Sequence, residues 1–245
     1  MASIFAVPVV GYAIATYQAG YRRWMAMGPG GLPANHFGYV ANNVIEAMFA
    51  RKDTRDVSLY DQPEQYAAGW VEVSDKEKAM AQTSFLSGAL PRRKGTQAHA
   101  LRFVIPQREH FAQEYQNSKV KEAYVAAFEH LQADNKAITE WKVSGLEGRG
   151  QALFLTPSVA VPKLASKTGG EICHVHKSDL SGHLTLSLAD AKEVVAKGWG
   201  ERHRLSGSRL HLGYTMTYVP RTVEEVEVFV RIHQAGIDYM RSTGS

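Results

Sequence analysis

Cysteine is almost absent from this 245-residue chain, in which Cys173 is the only one. A single cysteine excludes an internal disulfide and excludes zinc or iron–sulfur sites built from several thiolates. The chain therefore requires no oxidising compartment, and we expect an intracellular protein. In a β-rich stretch such a cysteine is usually a small apolar filler rather than a nucleophile.

Long runs of one charge are also absent. The formal net charge is +4 and the longest basic run is Arg92-Arg93-Lys94, which gives no strong indication of nucleic-acid binding. A mild positive charge fits an anionic small substrate or an acidic membrane surface equally well. The sequence has no internal repeats, and its length predicts one large domain with a substantial core.

No hydrophobic run reaches the length of about 20 residues that spans a bilayer. Residues 2–15 are uncharged and largely apolar, but Pro8 interrupts them and no basic region precedes them, so a cleaved signal peptide is a poor fit. Two interpretations remain: an anchor that associates the protein with internal membranes, or a helix packed on the protein's own core. The Gly/Pro-dense residues 28–33 separate a hydrophobic N-terminal segment and linker (1–30) from the main domain (31–245).

The remaining patterns predict an α+β fold. Helical spacing of apolar residues or a capping pattern marks five segments: residues 37–50, residues 75–88, and the segments that follow Ser118, Ser187 and Thr222. Short β-rich runs cover residues 101–105, 151–155, 183–188 and 214–219. Because these elements do not alternate as βαβ units, we expect a mainly antiparallel sheet packed by several helices, preceded by an N-terminal hydrophobic helical segment.

Three histidines surround a turn in residues 171–188, EICHVHKSDLSGHLTLSL. Ile172, His174 and His176 alternate, so they share one face if this stretch is a strand. Residues 177–182 have turn chemistry, and His183 opens a returning strand that is expected to be half-buried, with its polar side facing solvent or a functional site. A hairpin of this kind brings His183 opposite or diagonal to His176, so that three imidazoles face one cavity.

Three roles fit such a cluster. His174, His176 and His183 can bind a divalent metal ion such as Zn²⁺ or Fe²⁺, transfer protons without a metal, or serve only the structure. The turn residues Asp179 and Ser181 lie near enough to orient one ring. We treat the three histidines as the candidate catalytic residues, and as the ligands if a metal is present.

Further candidates for substrate contact follow the hairpin. Trp199 lies between two glycines, Arg202 and His203 follow it, and Tyr214 and Tyr218 alternate on the last β-rich run. Trp199 can equally pack against the sheet, and the two tyrosines can line either a pocket or a core.

The chain from residue 171 onward resembles the fungal luciferase family. It carries the family patterns Glu-Ile-x-His-x-His, a histidine opening the next strand, Lys-Gly-Trp-Gly-x-Arg-His, and Tyr-x-Pro-Arg before the last helix. These residues are Glu171, Ile172, His174, His176, His183, residues 197–200, Arg202, His203, Tyr218, Pro220 and Arg221. Thinner similarity covers residues 28–39, 59–64, 94–96 and 146–158.

Two departures from the light-emitting members indicate a homologue that emits no light. The turn between His176 and His183 is shorter and lacks their additional histidine, and Arg149 stands where they have another histidine. Arg149, Glu171, Asp179 and Ser181 are further candidate substrate-binding residues.

The resemblance implies a luciferase-like oxygenase that oxidises an aromatic or polyketide-like substrate, such as a hydroxypyrone, with O₂ and no organic cofactor. His174 or His176 would be the base, and a cationic His183 with Arg149 or Arg202 would stabilise the reduced oxygen. Family members often begin with a membrane-associating segment, which implies that role for residues 2–15. Two alternatives stay open: a non-oxidative isomerase or cyclase that uses the same histidines, and a non-enzymatic binder of a hydrophobic metabolite.

Overall fold

One antiparallel sheet forms the centre of the protein. A computed structural model describes residues 6–112 and 117–242, with side chains from residue 11 onward. Within these residues six strands lie in the order β1-β2-β3-β4-β6-β5. They are β1 (Thr139–Val143), β2 (Gln151–Leu155), β3 (Glu171–Val175), β4 (Gly182–Thr185), β5 (Gly200–Arg202) and β6 (Tyr214–Thr217). Every neighbouring pair is antiparallel, so the predicted class, α+β with a mainly antiparallel sheet, is confirmed.

Helices surround this sheet, and two of them, α6 and α7, begin at the caps that the sequence indicates. They are α1 (Ala6–Met25), α2 (His36–Phe49), α3 (Pro63–Tyr66), α4 (Asp75–Gln82), α5 (Ser118–Asp134), α6 (Leu188–Ala196) and α7 (Val223–Ser242). The Ser187 hydroxyl accepts the first-turn N–H of Asp190 at 3.1 Å, and Thr222 does the same for Glu225 at 3.3 Å. The cap of α5 is Asn117 rather than Ser118.

The predicted strand over residues 101–105 is wrong. Its backbone bonds to helix side chains instead of to a neighbouring strand: the Ile105 N–H donates to Asn42 of α2 at 2.9 Å, and the Ile105 carbonyl accepts from Trp24 of α1 at 2.8 Å. The stretch is therefore irregular. Together with the residues up to 110 it forms a cover segment over the sheet, which α1 and α2 hold in place.

Two other predicted elements are shorter than expected. The strand predicted over residues 183–188 ends at Thr185, because Ser187 caps α6. The helix predicted over residues 75–88 ends at Gln82, and the chain after it turns toward α6. There the carboxylate of Asp190 accepts from the Ser84 hydroxyl at 2.6 Å and from the Phe85 N–H at 2.9 Å.

The two faces of the sheet differ in chemistry. Helix α7 packs on β3 and β4, and α5 and α6 pack on α7, so the apolar core lies on this helix face with Cys173, Leu184 and Phe229 in it. The opposite face carries His174 and His183. The expectation of a half-buried strand is wrong: β4 is buried throughout, because residues 104–110 cover it.

Helix α2 turns its apolar side outward. The outward side chains are well exposed: Phe37 (73%), Val40 (47%), Val44 (50%) and Met48 (65%). The inward side holds Asn42, which binds the cover segment, Tyr39, which contacts aromatic rings of α1, and Glu46, which pairs with Arg204 at 2.9 Å. Polar and aromatic contacts, not aliphatic packing, hold α2 in place.

Residues 2–5 of the predicted N-terminal segment lie outside the described residues. Helix α1 starts at Ala6 and exposes Tyr12 and Ile14. Across residues 6–112 and 117–242, no helix combines the length and the apolar character that crossing a membrane requires.

Candidate functional site

A β-bulge in β3 brings a carboxylate to the first histidine. Leu153 of β2 pairs with Cys173, but the next residue, Phe154, pairs with Glu171, so Ile172 is extra. Glu171 and His174 consequently share a face, with Glu171 Oε1 2.5 Å from His174 Nδ1. Ile172 packs in the hydrophobic core, so the expectation that it shares a face with His174 is wrong.

The hairpin gathers the three histidines into one buried cluster. His174 on β3 pairs directly with His183 on β4, and His176 follows the end of β3. The centroids of the three imidazole rings are 4.8–5.2 Å apart. The three residues are 2–4% exposed, so they form one buried polar cluster.

The turn after β3 orients His176. Its Nδ1 lies 2.9 Å from the Ser181 hydroxyl, which donates its own proton to Asp179 at 2.8 Å. Since the hydroxyl proton is used, Ser181 accepts from His176 Nδ1–H, and Nε2 carries the lone pair. Asp179 also accepts the backbone N–H groups of Glu109 and His110, both at 3.1 Å. The predicted orienting role of Asp179 and Ser181 fits these distances.

The cover segment orients His183. Its Nε2 lies 3.3 Å from the carbonyl oxygen of Gln107, which can only accept a hydrogen bond, so the proton is on Nε2 and the lone pair on Nδ1. Tyr214 stacks on the His183 ring at 5.5 Å, and His203 meets it edge-on at 4.9 Å. The Nδ1 atom of His203 accepts the backbone N–H of Leu205 at 3.1 Å.

A fourth polar residue, Glu147, closes the cluster. One ligand atom from each of Glu147, His174, His176 and His183 lies within 4.8 Å of the others, so this group could hold a metal ion. Glu147 Oε1 is 3.8 Å from Nε2 of both His174 and His176. The buried Arg108 fixes the same carboxylate at 2.7 Å and 3.2 Å.

Sequence reasoning missed Glu147 and Arg108. Glu147 belongs to the loop between β1 and β2, where three nearby glycines (145, 148 and 150) erase any periodic pattern. Arg108 follows the wrongly predicted strand over residues 101–105. The only signal was the similarity over residues 146–158, which did not single out the glutamate.

The three histidines of the cluster differ in the direction in which their pKa values are shifted. Burial, reinforced by the charge of Arg108, lowers the pKa of His176 to about 4, and burial with the neighbouring histidines holds the pKa of His183 well below its ordinary value. Burial also opposes charge on His174, but Glu147 and Glu171 outweigh it and raise the pKa of His174. The expected cationic His183 is thus corrected: its ring is neutral near neutral pH.

Glu147 and Glu171 supply the negative charge. Burial alone raises the pKa of Glu147, but His174, His176 and Arg108 together hold it well below the ordinary value. The Glu171 carboxylate accepts from the Ser144 hydroxyl and from the Gly145 N–H at 3.0 Å, which fixes it behind His174.

Two clefts that are bounded by Glu147 and His174 lead from the surface to the cluster. The first, of about 140 Å³, has an exposed rim that includes Arg149, Gln151 and Lys177. The second, of about 130 Å³, passes His183, His203 and Tyr214. Each is smaller than a typical small-molecule site.

The other predicted contacts lie elsewhere. Trp199 is in the core and donates to the Pro91 carbonyl at 2.7 Å. Arg202 is buried against Asp53, and Tyr218 donates to Glu201 at 2.7 Å. None of these three residues lines either cleft, whereas Arg149, His203 and Tyr214 do.

Comparisons with known proteins place this arrangement in context. The model of the Luciferase domain matches residues 169–236, which include the hairpin, β6 and most of α7. A luciferase of Armillaria ostoyae is 30% identical over 232 residues, which cover 90% of this chain and 80% of the relative. No solved structure matches the chain significantly.

Two further relatives match over nearly the whole chain. A luciferase of Armillaria mellea is 29% identical over 252 residues (98% of this chain, 85% of the relative), and one of Neonothopanus nambi is 28% identical over 252 residues (98% and 84%). The similarity therefore includes the cover segment and the Glu147 loop as well as the hairpin.

Proposed function

Because the chain belongs to the fungal luciferase family, we propose that it is an oxygenase that oxidises an electron-rich, hydroxypyrone-like or polyketide-like small molecule with O₂. The observation that carries this proposal is the buried cluster of Glu147, His174, His176 and His183 at the base of two clefts. A purely structural cluster would not need access from the surface.

The proposed chemistry starts from an acidic hydroxyl group of the substrate. Arg149 at the rim and Arg108 inside the cleft favour the anionic form and guide it to the cluster. Loss of the hydroxyl proton gives an enolate. Its electron pair forms a carbon–oxygen bond with O₂, which is reduced to the peroxide level, and the released proton returns to the peroxide. Buried walls keep water away from the anion.

Oxygen consumption tests this proposal. With an aryl-substituted hydroxypyrone as the probe, we expect the full-length protein to consume O₂ in step with the substrate and to stop when O₂ is removed. His130→Ala, an exposed histidine of α5, should behave like the unmodified protein, whereas His176→Ala should lose turnover.

Substrate conversion that continues at the same rate without O₂ would contradict the oxidation and support the isomerase or cyclase alternative. Recovery of an unchanged bound ligand, independent of His176, would support a binder instead. Photon counting on the same samples tests the expectation, from Arg149 and the shorter turn, that the reaction is dark.

We also propose that α1 and α2 rest on an anionic membrane surface. The outward side of α2 is apolar over three turns (Phe37, Val40, Val44 and Met48), and Tyr12 and Ile14 of α1 are exposed as well. Arg22 and Arg23 end α1, while Glu46, the only carboxylate in α1 and α2, is paired with Arg204. An apolar face beside unopposed positive charge fits an interfacial helix.

Vesicle sedimentation tests the membrane proposal. We expect the protein to bind phosphatidylcholine vesicles that contain phosphatidylserine, and the double variant Val40→Ser/Val44→Ser to bind much less. Val125→Ser, which changes an exposed valine of α5, is the matched control. Equal sedimentation of all three proteins, or a change in oligomeric state alone, would contradict the proposal.

A further inference from the structure

Three ring nitrogens of the cluster are buried without any hydrogen-bond partner. They are Nε2 of His174, Nε2 of His176 and Nδ1 of His183. Buried polar atoms are rarely left unpaired, and each instance calls for an explanation. Here three occur together, in residues whose ligand atoms and one of Glu147 lie within 4.8 Å of one another.

The outward nitrogen of each ring faces a hydrogen-bond acceptor. His174 Nδ1 faces Glu171, whose oxygens also accept from the Ser144 hydroxyl and the Gly145 N–H. His176 Nδ1 faces Ser181, whose proton is committed to Asp179. His183 Nε2 faces the Gln107 carbonyl. In the neutral rings the protons therefore lie outside the cluster, and all three lone pairs point inward.

Arg108 donates to both oxygens of Glu147, at 2.7 Å and 3.2 Å, and three lone pairs and one of these oxygens converge on one point that is rich in electrons. This is the arrangement of metal sites, in which an acceptor behind each histidine fixes its tautomer and makes the inward nitrogen a better ligand.

We propose that His174 Nε2, His176 Nε2, His183 Nδ1 and Glu147 Oε1 bind one divalent transition-metal ion. Three imidazoles and one carboxylate suit Fe²⁺, Mn²⁺, Co²⁺, Ni²⁺ or Zn²⁺ and do not suit Mg²⁺ or Ca²⁺, which prefer oxygen ligands. Arg108 holds Glu147 from behind through Oε2 at 2.7 Å, so it positions this carboxylate. The site does not depend on the proposed oxidation, since a metal ion can also serve an isomerase.

Cobalt binding tests the site without any substrate. Full-length protein is stripped with a chelator, and Co²⁺ is added while visible absorption is recorded. We expect one Co²⁺ per chain, with ligand-field bands that indicate nitrogen ligands and a rise in melting temperature. His176→Gln, His183→Gln and Glu147→Gln should each weaken binding, and Ser181→Ala should weaken it by about 10-fold through the loss of orientation.

His130→Ala is the control and should bind Co²⁺ like the unmodified protein. Circular dichroism identifies any variant that fails to fold. If a ligand variant does not fold, Ser181→Ala, which leaves all four ligands in place, still tests the site. Co²⁺ binding that none of the cluster variants changes, or no binding by folded protein, would overturn the site. If Co²⁺ binds as expected but no O₂ is consumed with Fe²⁺-loaded protein, the oxidation fails and the metal site stands.

Discussion

Buried histidines occur on both faces of the sheet, but the residues that surround them differ between the two faces. On the helix face, His233 donates to the Phe229 carbonyl at 2.7 Å and its ring lies among Tyr124 and Phe128. On the other face, His183 lies against His174 and His176. Both His233 and His183 have one ring nitrogen without a partner.

The two faces differ in whether the unpartnered ring nitrogens converge on one point, and not in how deeply the histidines are buried. The free nitrogen of His233 belongs to a single ring in an aromatic core, where it costs stability and has no counterpart. The free nitrogens of the cluster belong to three rings held from behind by separate acceptors. A buried histidine alone therefore indicates no function, whereas several with a common focus do.

The largest expected effect separates the two faces by activity. We expect His176→Gln to lower turnover of a hydroxypyrone probe by about 1000-fold, because the variant removes a nitrogen from the reaction centre. His233→Gln should keep the turnover of the folded protein, although it lowers the melting temperature. Steady-state kinetics with both variants checks this. Equal losses of turnover would show that the two faces do not differ in function.

The second-largest expected effect is on the stability of the protein, which we expect to depend on the helix face of the sheet. Phe229 is fully buried in the helix-face core and packs edge-on against Trp199 and Tyr124. Phe229→Ala should lower the free energy of unfolding by about 3–5 kcal/mol, while Co²⁺ affinity of the folded protein stays within about twofold. Urea unfolding and a cobalt titration measure the two quantities. A large loss of affinity would mean that the site depends on the helix-face core.

The third and smallest effect is the pH dependence that His233 imposes. Burial lowers the pKa of His233 from about 6.5 to about 4, so the unfolded chain binds a proton more readily. His233 therefore supports folding above about pH 6.5, and that contribution is lost as the pH falls toward 4. At about pH 5 the loss amounts to about 2 kcal/mol.

Urea unfolding at several pH values checks this dependence. His233→Gln should flatten the decline in stability between about pH 6.5 and 4. An unchanged decline in the variant would assign the acid sensitivity to other groups, such as His211, whose pKa burial also lowers to about 4.

The sequence alone was sufficient to predict the histidine hairpin, but not the residues that surround it. Alternation of His174 and His176, a polar turn and His183 on the returning strand are local features, and they predicted that three rings meet. The bulge at Ile172 depends on how β2 pairs with β3, which no local pattern reveals. The contributions of Glu147 and Gln107 come from irregular segments whose paths are set by long-range contacts.

Helix α2 shows the opposite failure. Its helical period was correctly predicted from the spacing of apolar residues, but that spacing did not indicate that the apolar side faces outward. Asn42, Tyr39 and Glu46 hold the helix through specific partners in the cover segment, in α1 and at Arg204. Such pairings outweigh the burial of Val40 and Val44, and they are invisible to periodicity.

X-ray absorption spectroscopy of the cobalt-loaded, substrate-free protein reports the atoms around the ion itself and so tests the proposed ligands. We expect a single site with scattering from three imidazole rings, falling to two in His183→Gln. An ion surrounded by oxygen alone, or an imidazole count that the substitution does not change, would contradict it.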